Sequence, residues 1–203
     1  MEIDSITIQN EGYVLCESNF YSAQDVLPNN RQYTFSTGLN KLIGEIDSGN
    51  WAVSYLLSMY KHRPEDFTLF LPPQAVVNNK SISLNELCIS SCYMDTLYPL
   101  FSSNNSVRDL VIQGLSYSNF DYNPNHIRDL FCMDGERFER PLAGVGNEIF
   151  KAMAAVGYCH NKEIFCFPWL SNMRFEYYHR NISDLLKTLE QLKKVIIIPV
   201  GTA

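Results

Sequence analysis

The sequence lacks any hydrophobic run long enough to span a bilayer. Its N-terminus, MEIDSITIQNEG, lacks the basic region and apolar block of a secretion signal. It also lacks an excess of basic residues, since the net charge of the 203-residue chain is −6, whereas a nucleic-acid-binding surface needs clustered Lys and Arg. We therefore expect a cytoplasmic protein that neither spans a membrane nor binds nucleic acid.

Motifs for metal binding and nucleophilic catalysis are missing as well. The four histidines lie far apart, without an HExxH pattern: His62, His126, His160 and His179. No G-x-S-x-G nucleophile elbow occurs. Cys88 and Cys92 are four apart and could share a helix face, but no second cysteine pair lies at zinc-site spacing. Without a secretion signal, we expect all six cysteines to be reduced and incidental to function.

A glycine motif stands out against this background. The stretch GEIDSGNW at 44–51 has Gly44 and Gly49 five positions apart, as in the phosphate-binding loop pattern G-x-x-x-x-G-K-[ST]. Asn50 and Trp51 hold the lysine and hydroxyl positions of that pattern. The glycine spacing predicts a loop of the phosphate-binding shape, and the two substitutions predict that its chemistry has changed.

The segments around this motif predict a strand, the loop, a helix and a second strand. QYTFSTGLNKLIGE at 32–45 alternates and ends in apolar residues, which is typical of a strand that leads into a loop. Apolar residues recur at helical spacing over 50–60, and DFTLFLPP at 66–73 predicts a strand stopped by its prolines. This order is the context in which a phosphate-binding loop occurs.

Two later helices are each followed by a short apolar strand. Apolar positions mark one helix over 149–156 and another over 185–192, with Ser183 as the predicted N-cap of the second. The strands EIFCF at 163–167 and VIII at 195–198 follow them. Helices that alternate with apolar strands favour a largely parallel sheet.

The order of five motifs over residues 35–201 resembles the nucleotide-binding domain of the ABC-type ATPases. LIGEIDSGNWAVSYLLS resembles the phosphate loop and its helix, and SVRDLVIQGL resembles the segment after the glutamine loop. RPLAGVGNEIFKAMAAV resembles the signature motif, NKEIFCFPWLS falls at the second acidic strand, and KVIIIPVG resembles the strand before the switch histidine. The resemblance implies a single α/β domain, 1–203, of the P-loop NTPase type. It would have a mostly parallel sheet core, an N-terminal antiparallel β part and an inserted helical subdomain at about 84–145.

The departures from the family pattern fall at its chemical positions. Asn50 and Trp51 replace the lysine that neutralises phosphate and the hydroxyl that holds Mg²⁺. Phe167 and Pro168 fall at the metal-orienting aspartate and the catalytic glutamate. The loop glutamine and the switch histidine also fall at uncharged residues: Met94, and Val200 or Gly201. Because metal-assisted hydrolysis needs groups that ionise or ligate, we expect a pseudo-ATPase with no catalytic residue and no metal site.

The resemblance also places a degenerate nucleotide site and a signature-like segment. The site residues would be Gly44, Asp47, Ser48, Gly49, Asn50 and Trp51. The signature-like segment is Ala143, Gly144, Val145 and Gly146, with alanine where the family has a serine hydroxyl. We expect no cofactor, because the lysine is lost and Asp47 repels phosphate. Residual ATP binding through loop N–H groups, with Phe20 or Tyr21 stacking on adenine, stays open.

We expect the chain to act by protein–protein interaction, as degenerate members of this family do. The expected partner is an ABC ATPase or permease subunit, or a second copy of the chain, and membrane contact would be through that partner. Two alternatives stay open: a repurposed P-loop fold that binds a nucleotide or another small molecule, and an enzyme with an unrelated site. RFEYYHR at 174–180 is either a binding patch or structural. We expect the Trp51 ring to pack inward and close part of the old phosphate site.

Overall fold

A computed structural model of the chain describes residues 2–18, 23–118 and 121–202. The strands are β1 (Ser5–Asn10), β2 (Tyr13–Ser18), β3 (Ala23–Leu27), β4 (Arg31–Ser36), β5 (Gly38–Ile43), β6 (Phe67–Phe70), β7 (Gln74–Val77), β8 (Lys80–Ile82), β9 (Ser91–Tyr93), β10 (Ile164–Cys166) and β11 (Val195–Val200). The helices are α1 (Asn50–Met59), α2 (Leu84–Ile89), α3 (Val107–Tyr117), α4 (Pro124–Leu130), α5 (Gly135–Phe138), α6 (Ile149–Cys159) and α7 (Asn172–Gln191).

The strands form one parallel sheet and two antiparallel sheets. The parallel sheet has the order β5-β11-β10-β9, and the antiparallel sheets have the orders β4-β1-β7-β8 and β3-β2-β6. This confirms the predicted α/β fold with a parallel core and an antiparallel part. The antiparallel part extends beyond the N-terminus, because it also contains β6, β7 and β8 from residues 67–82.

The segment predicted as one strand before the glycine motif is two strands in different sheets. β4 ends at Ser36 and pairs with β1, whereas β5 begins at Gly38 and pairs with β11. Gly38 has a φ of +92°, a left-handed conformation that costs glycine little. The chain therefore leaves the antiparallel sheet after Ser36 and enters the parallel sheet at Gly38.

The helix predicted at 50–60 is confirmed as α1, and it lies at the centre of the molecule. All ten of its residues are buried. It packs against β9, β10 and β11 of the parallel sheet and against β2 and β3 of an antiparallel sheet. Because β5 leads into α1, the glycine loop lies at the carboxyl edge of the parallel sheet. The segments that follow β9, β10 and β11 lie at the same edge, where ligands bind in open α/β sheets.

The last helix is longer than the sequence predicts. α7 begins at Asn172, so Ser183 lies inside it and the prediction of Ser183 as N-cap is wrong. The cap is Ser171, whose Oγ accepts from the Arg174 N–H at 3.3 Å. The buried stripe of the helix starts well before the leucines: Phe175, Ile182, Leu185, Leu186 and Leu189. Within the described ranges, no helix combines the length and apolarity needed to cross a membrane.

Replacing Ser171 with alanine should lower the free energy of unfolding by about 1 kcal/mol, because its Oγ satisfies an N–H at the start of α7. Ser183→Ala is the matched control. In the helix interior the same change favours the helix slightly, so stability should stay within about 0.5 kcal/mol of the parent. Chemical denaturation of both variants measures the difference, and equal losses would contradict the assignment of the cap.

Candidate functional site

The glycine loop, residues 44–49, joins β5 to α1. Gly44 is held at both of its backbone groups: its N–H donates to the Val200 carbonyl at 2.9 Å, and its carbonyl accepts from Trp169 Nε1 at 3.1 Å. Gly49 has a φ of +83° and packs so closely that an added Cβ would lie 2.3 Å from Pro28 Cδ. The predicted loop shape is therefore present, with glycine required at its last position.

A carboxylate from β3 accepts hydrogen bonds from the N–H groups at the end of this loop. Asp25 Oδ1 accepts from the Gly49 N–H at 2.8 Å, and Asp25 Oδ2 accepts from the Ala52 N–H at 2.9 Å. Oδ1 also accepts from the Val26 N–H at 2.9 Å. In a phosphate-binding loop, N–H groups at this helix terminus bind the phosphates of the ligand. Here the anion at the N-terminus of α1 belongs to the protein.

Asp25 is 2% exposed. Burial raises the pKa of its carboxyl above the usual value, the three backbone N–H bonds lower that pKa, and the Asp47 carboxylate raises it further. A phosphate that approached the Gly49 and Ala52 N–H groups would therefore find them already bonded to the buried Asp25 carboxyl. Sequence reasoning missed Asp25, and the one local signal was an acidic residue inside the strand AQDVL.

Asn50 and Trp51, which the glycine motif aligns with the lysine and hydroxyl positions, are both buried in the protein. Asn50 is 1% exposed, and its Oδ1 has no hydrogen-bond partner in the part of the chain that the structure describes. Trp51 is 3% exposed, donates from Nε1 to Tyr93 Oη at 3.1 Å and stacks on Tyr55 with ring centroids 4.8 Å apart. The Trp51 ring therefore packs inward, as the sequence analysis expects.

The residues that the resemblance aligns with the family's acidic positions are Phe167 and Pro168. Phe167 is fully buried, its ring lies 5.4 Å from that of Phe150, and its carbonyl accepts from Ser54 Oγ at 2.7 Å. Pro168 follows at the carboxyl edge of the sheet. Met94, at the former glutamine position, is also buried. These side chains offer no oxygen or nitrogen ligand to a cation.

A cavity of about 350 Å³ opens at this edge, and we call it the edge cavity. Its walls include four aromatic side chains and two charged ones: Trp51, Phe150, Trp169, Tyr178, Asp95 and Arg174. Sequence reasoning missed Asp95, Phe150 and Trp169. It left RFEYYHR open between a binding patch and a structural role; Phe175 is buried, whereas Arg174 and Tyr178 line the cavity.

The signature-like segment, residues 143–146, does not join the glycine loop within the chain. It lies in two consecutive 3-10 turns, Leu142–Gly144 and Gly146–Glu148, that lead into α6. Val145 is buried between the turns, whereas Ala143, Gly144 and Gly146 are exposed. Among the described residues that line the edge cavity, none comes from this segment. Phe20 and Tyr21, the candidates for adenine stacking, lie outside the described residues.

A second group of titratable side chains lies at the opposite, amino edge of the parallel sheet. His62, His160 and Lys162 line a cavity there. Lys162 Nζ donates to the carbonyl of Ile89, the last residue of α2, at 2.6 Å, and His160 Nε2 lies 3.1 Å from a carbonyl of α3. Burial lowers the pKa of both histidines, so both are neutral near pH 7. These contacts with helix carbonyls explain the positions of the Lys162 and His160 side chains.

The buried cysteines do not form an activated thiolate. Five of them are buried: Cys16, Cys88, Cys92, Cys159 and Cys166. Cys88 lies in α2 and Cys92 in β9, so they do not share a helix face. Burial raises the pKa of Cys92 to about 12, which keeps this thiol protonated. Of the residues placed by the structure, no three His, Cys, Asp or Glu form a group that could hold a metal ion.

Solved structures share this architecture at low sequence identity. A putative ABC transporter ATP-binding protein from Pyrococcus furiosus superposes with a TM-score of 0.62 and 15% identity, covering 98% of this chain and 92% of its own. The fold is that of an ATP-binding cassette. The cassette MJ0796, solved as a dimer in a post-hydrolysis state with ADP and Pi, gives a TM-score of 0.62 and 9% identity over 98% of this chain and 88% of that one.

A larger transporter also contains this fold. A bacterial Atm1-family ABC exporter with ATP bound gives a TM-score of 0.57 and 12% identity over 100% of this chain, which spans 35% of the exporter chain. Scans against models of known protein families and against curated proteins find no match. At these identities, the likeness establishes the ATP-binding cassette fold.

Trp51→Ser should lower the free energy of unfolding by about 3–5 kcal/mol, because it removes a buried ring and leaves a cavity. Trp51→Phe is the matched comparison: it keeps a stacking ring on Tyr55 and loses the bond to Tyr93, so we expect a smaller loss, of about 1–2 kcal/mol. Thermal and chemical denaturation measure both. A melting temperature unchanged by Trp51→Ser would contradict the buried position of the ring.

Asp25→Ala should lower the free energy of unfolding by about 2–4 kcal/mol, because loop and helix N–H groups lose their acceptor. If those N–H groups still form an anion site, inorganic phosphate should raise the melting temperature of this variant by about 2–4 °C relative to chloride at equal ionic strength. Phosphate should leave the parent unchanged, since its site is filled.

Asp66→Ala is the matched control for this rescue. Asp66 is 3% exposed and accepts from Tyr55 Oη at 2.5 Å, so its loss also removes a buried carboxylate. It does not bond the glycine loop, and phosphate should not restore its stability. Equal rescue of the two variants, or rescue of neither, would contradict the assignment of Asp25 to an anion position.

Proposed function

We propose that the chain is a non-catalytic subunit with the ATP-binding cassette fold, acting by protein–protein contacts within an ABC-type transporter or a related assembly. The observation that carries this proposal is the Asp25 carboxylate on the N–H groups of Gly49 and Ala52. A nucleotide phosphate would need those donors, and it would be repelled by the carboxylate that holds them. The loop therefore does not fit a nucleotide phosphate.

The side chains around the loop support the same proposal. Metal-assisted phosphoryl transfer needs a charged clamp on the phosphates, a metal ligand and a group that orients water. Asn50 brings no charge, and the Trp51 indole nitrogen, a donor only, is already bonded to Tyr93. Phe167 and Pro168 can neither ligate a cation nor accept a proton. These four substitutions support a subunit that does not carry out the family's reaction.

Exposed apolar side chains at the same edge support an interaction surface. Ile43 at the end of β5 is 70% exposed, and Ile46 in the glycine loop is 42% exposed. Met173 and Tyr177, four apart on one face of α7, are 81% and 64% exposed. Aromatic and methionine side chains are enriched in protein interfaces. The fitting partner is an ABC ATPase or permease subunit, or a second copy of this chain.

The fold itself is compatible with such pairing. The cassette MJ0796 is described as dimeric. In the proposed contact, burial of apolar side chains would hold the partners together, in place of a bound nucleotide. Any contact with a membrane would be made by the partner.

The purified chain should show no Mg²⁺-dependent ATPase activity, since Asn50, Trp51, Phe167 and Pro168 stand at the positions where the family has its lysine, metal ligands and catalytic glutamate. Phosphate release is measured against a buffer control, with an active cassette protein assayed beside it. Release above the control that Gly49→Asp abolishes would contradict the proposal, because it would trace the activity to the glycine loop.

The chain should also form a stable complex, detected by light scattering and cross-linking of the pure protein and by recovery of bound subunits from native lysate. The double variant Met173→Glu, Tyr177→Glu should weaken that complex about tenfold or more, because it puts charge on the apolar edge. Tyr117→Glu is the matched control, since Tyr117 is 73% exposed on α3. A strict monomer at micromolar concentrations with no recovered partner would defeat the proposal.

A further inference from the structure

The edge cavity combines aromatic walls with one positive and one negative side chain. We propose that it binds a small aromatic zwitterion, of which a free aromatic α-amino acid is the simplest. The ring would lie among the aromatic walls, the carboxylate at Arg174 and the ammonium at Asp95. This inference goes beyond the subunit role and does not depend on it.

The size and lining of the cavity fit a single substituted ring. Its volume of about 350 Å³ lies at the lower end of the range for small-molecule sites, which are mostly apolar with a few polar groups. Trp51, Phe150, Trp169 and Tyr178 line it, and aromatic pairs gain from offset-stacked or edge-to-face contact. The cavity lies at the carboxyl edge of the parallel sheet, the usual ligand position in such folds.

The positive side chain is available to a ligand. Arg174 is exposed, and it forms no ion pair within the described residues. It lies in the first turn of the 20-residue α7, where the helix dipole adds positive potential. A guanidinium group matches a carboxylate with two parallel N–H bonds. A carboxylate is therefore the anionic group that fits this wall.

The negative side chain is held in place and keeps acceptor capacity. Asp95 follows β9 and is half-buried, and its Oδ1 accepts from the Leu97 N–H at 3.0 Å. An ionised carboxylate has about four acceptor sites, so Oδ2 can take an ammonium or another donor. Like Arg174, Asp95 forms no ion pair among the residues that the structure places. One ligand with both charges would satisfy both walls.

The protein carries a natural probe of this site. It has two tryptophans, Trp51 and Trp169, and both line the edge cavity. Tryptophan emission, excited where phenyl rings do not absorb, therefore reports on this cavity. The probe compounds are L-phenylalanine with both charges, 3-phenylpropionate with the carboxylate only and phenethylamine with the ammonium only. L-phenylalanine should bind best, and loss of either charge should weaken binding about tenfold.

Two conservative variants separate the charges. Arg174→Gln should weaken L-phenylalanine and 3-phenylpropionate about tenfold and leave phenethylamine unchanged. Asp95→Asn keeps the Oδ1 acceptor for Leu97, and it should weaken L-phenylalanine and phenethylamine only. Arg108→Gln, at a half-buried arginine on α3 that does not line the edge cavity, should change none of the three affinities. Circular dichroism of each variant confirms that the fold is kept.

These binding measurements test the proposal independently of the ATPase and pull-down experiments. Charge-dependent affinities that follow the two variants as described would support it. Equal affinity for the three compounds, or affinities indifferent to Arg174 and Asp95, would overturn it. If the cavity instead receives a side chain from a partner protein, none of the compounds should change the emission up to about 10 mM, and the proposal fails.

Discussion

The structure is organised around one buried set of hydrogen bonds, in which the Asp25 carboxyl accepts from N–H groups at the N-terminus of α1. This carboxylate comes from β3, in an antiparallel sheet, whereas α1 packs against the parallel sheet. The bonds to Gly49 and Ala52 therefore join the two halves of the fold at the start of its central helix. A helix N-terminus buried without an acceptor would leave several N–H groups unsatisfied. Asp25 supplies from within the chain what a bound phosphate supplies from outside.

The neighbouring substitutions are consistent with that internal anion. Once the donors are taken, a lysine beside them would be a buried charge with no phosphate to neutralise, and Asn50 avoids that cost. Trp51 and Phe167 are both buried, with Trp51 stacked on Tyr55 and bonded to Tyr93. In this region most polar groups are hydrogen-bonded to one another, and the aromatic rings pack together. Asn50 Oδ1 is an exception, since no described residue bonds it.

Much of the fold could be predicted from sequence because its signals are local. The glycine spacing and the apolar run over 50–60 predict the loop and α1, and the short apolar strands predict β10 and β11. The prediction of Ser183 as a cap is wrong because the apolar stripe that contains the following leucines begins earlier in the helix, at Phe175. Asp25 could not be predicted, because its partners lie 24 and 27 residues away in another layer. The edge cavity was missed for the same reason, since its walls come from four separate segments.

The close packing at Gly49 affects what a sequence search for this glycine motif detects. Its left-handed φ and the nearby Pro28 and Val26 backbone exclude any side chain at this position, whatever the loop binds. The glycine would thus be retained in a lineage that had stopped using phosphate altogether. A sequence search for this glycine spacing therefore detects close packing and backbone conformation, which do not by themselves report on phosphate binding.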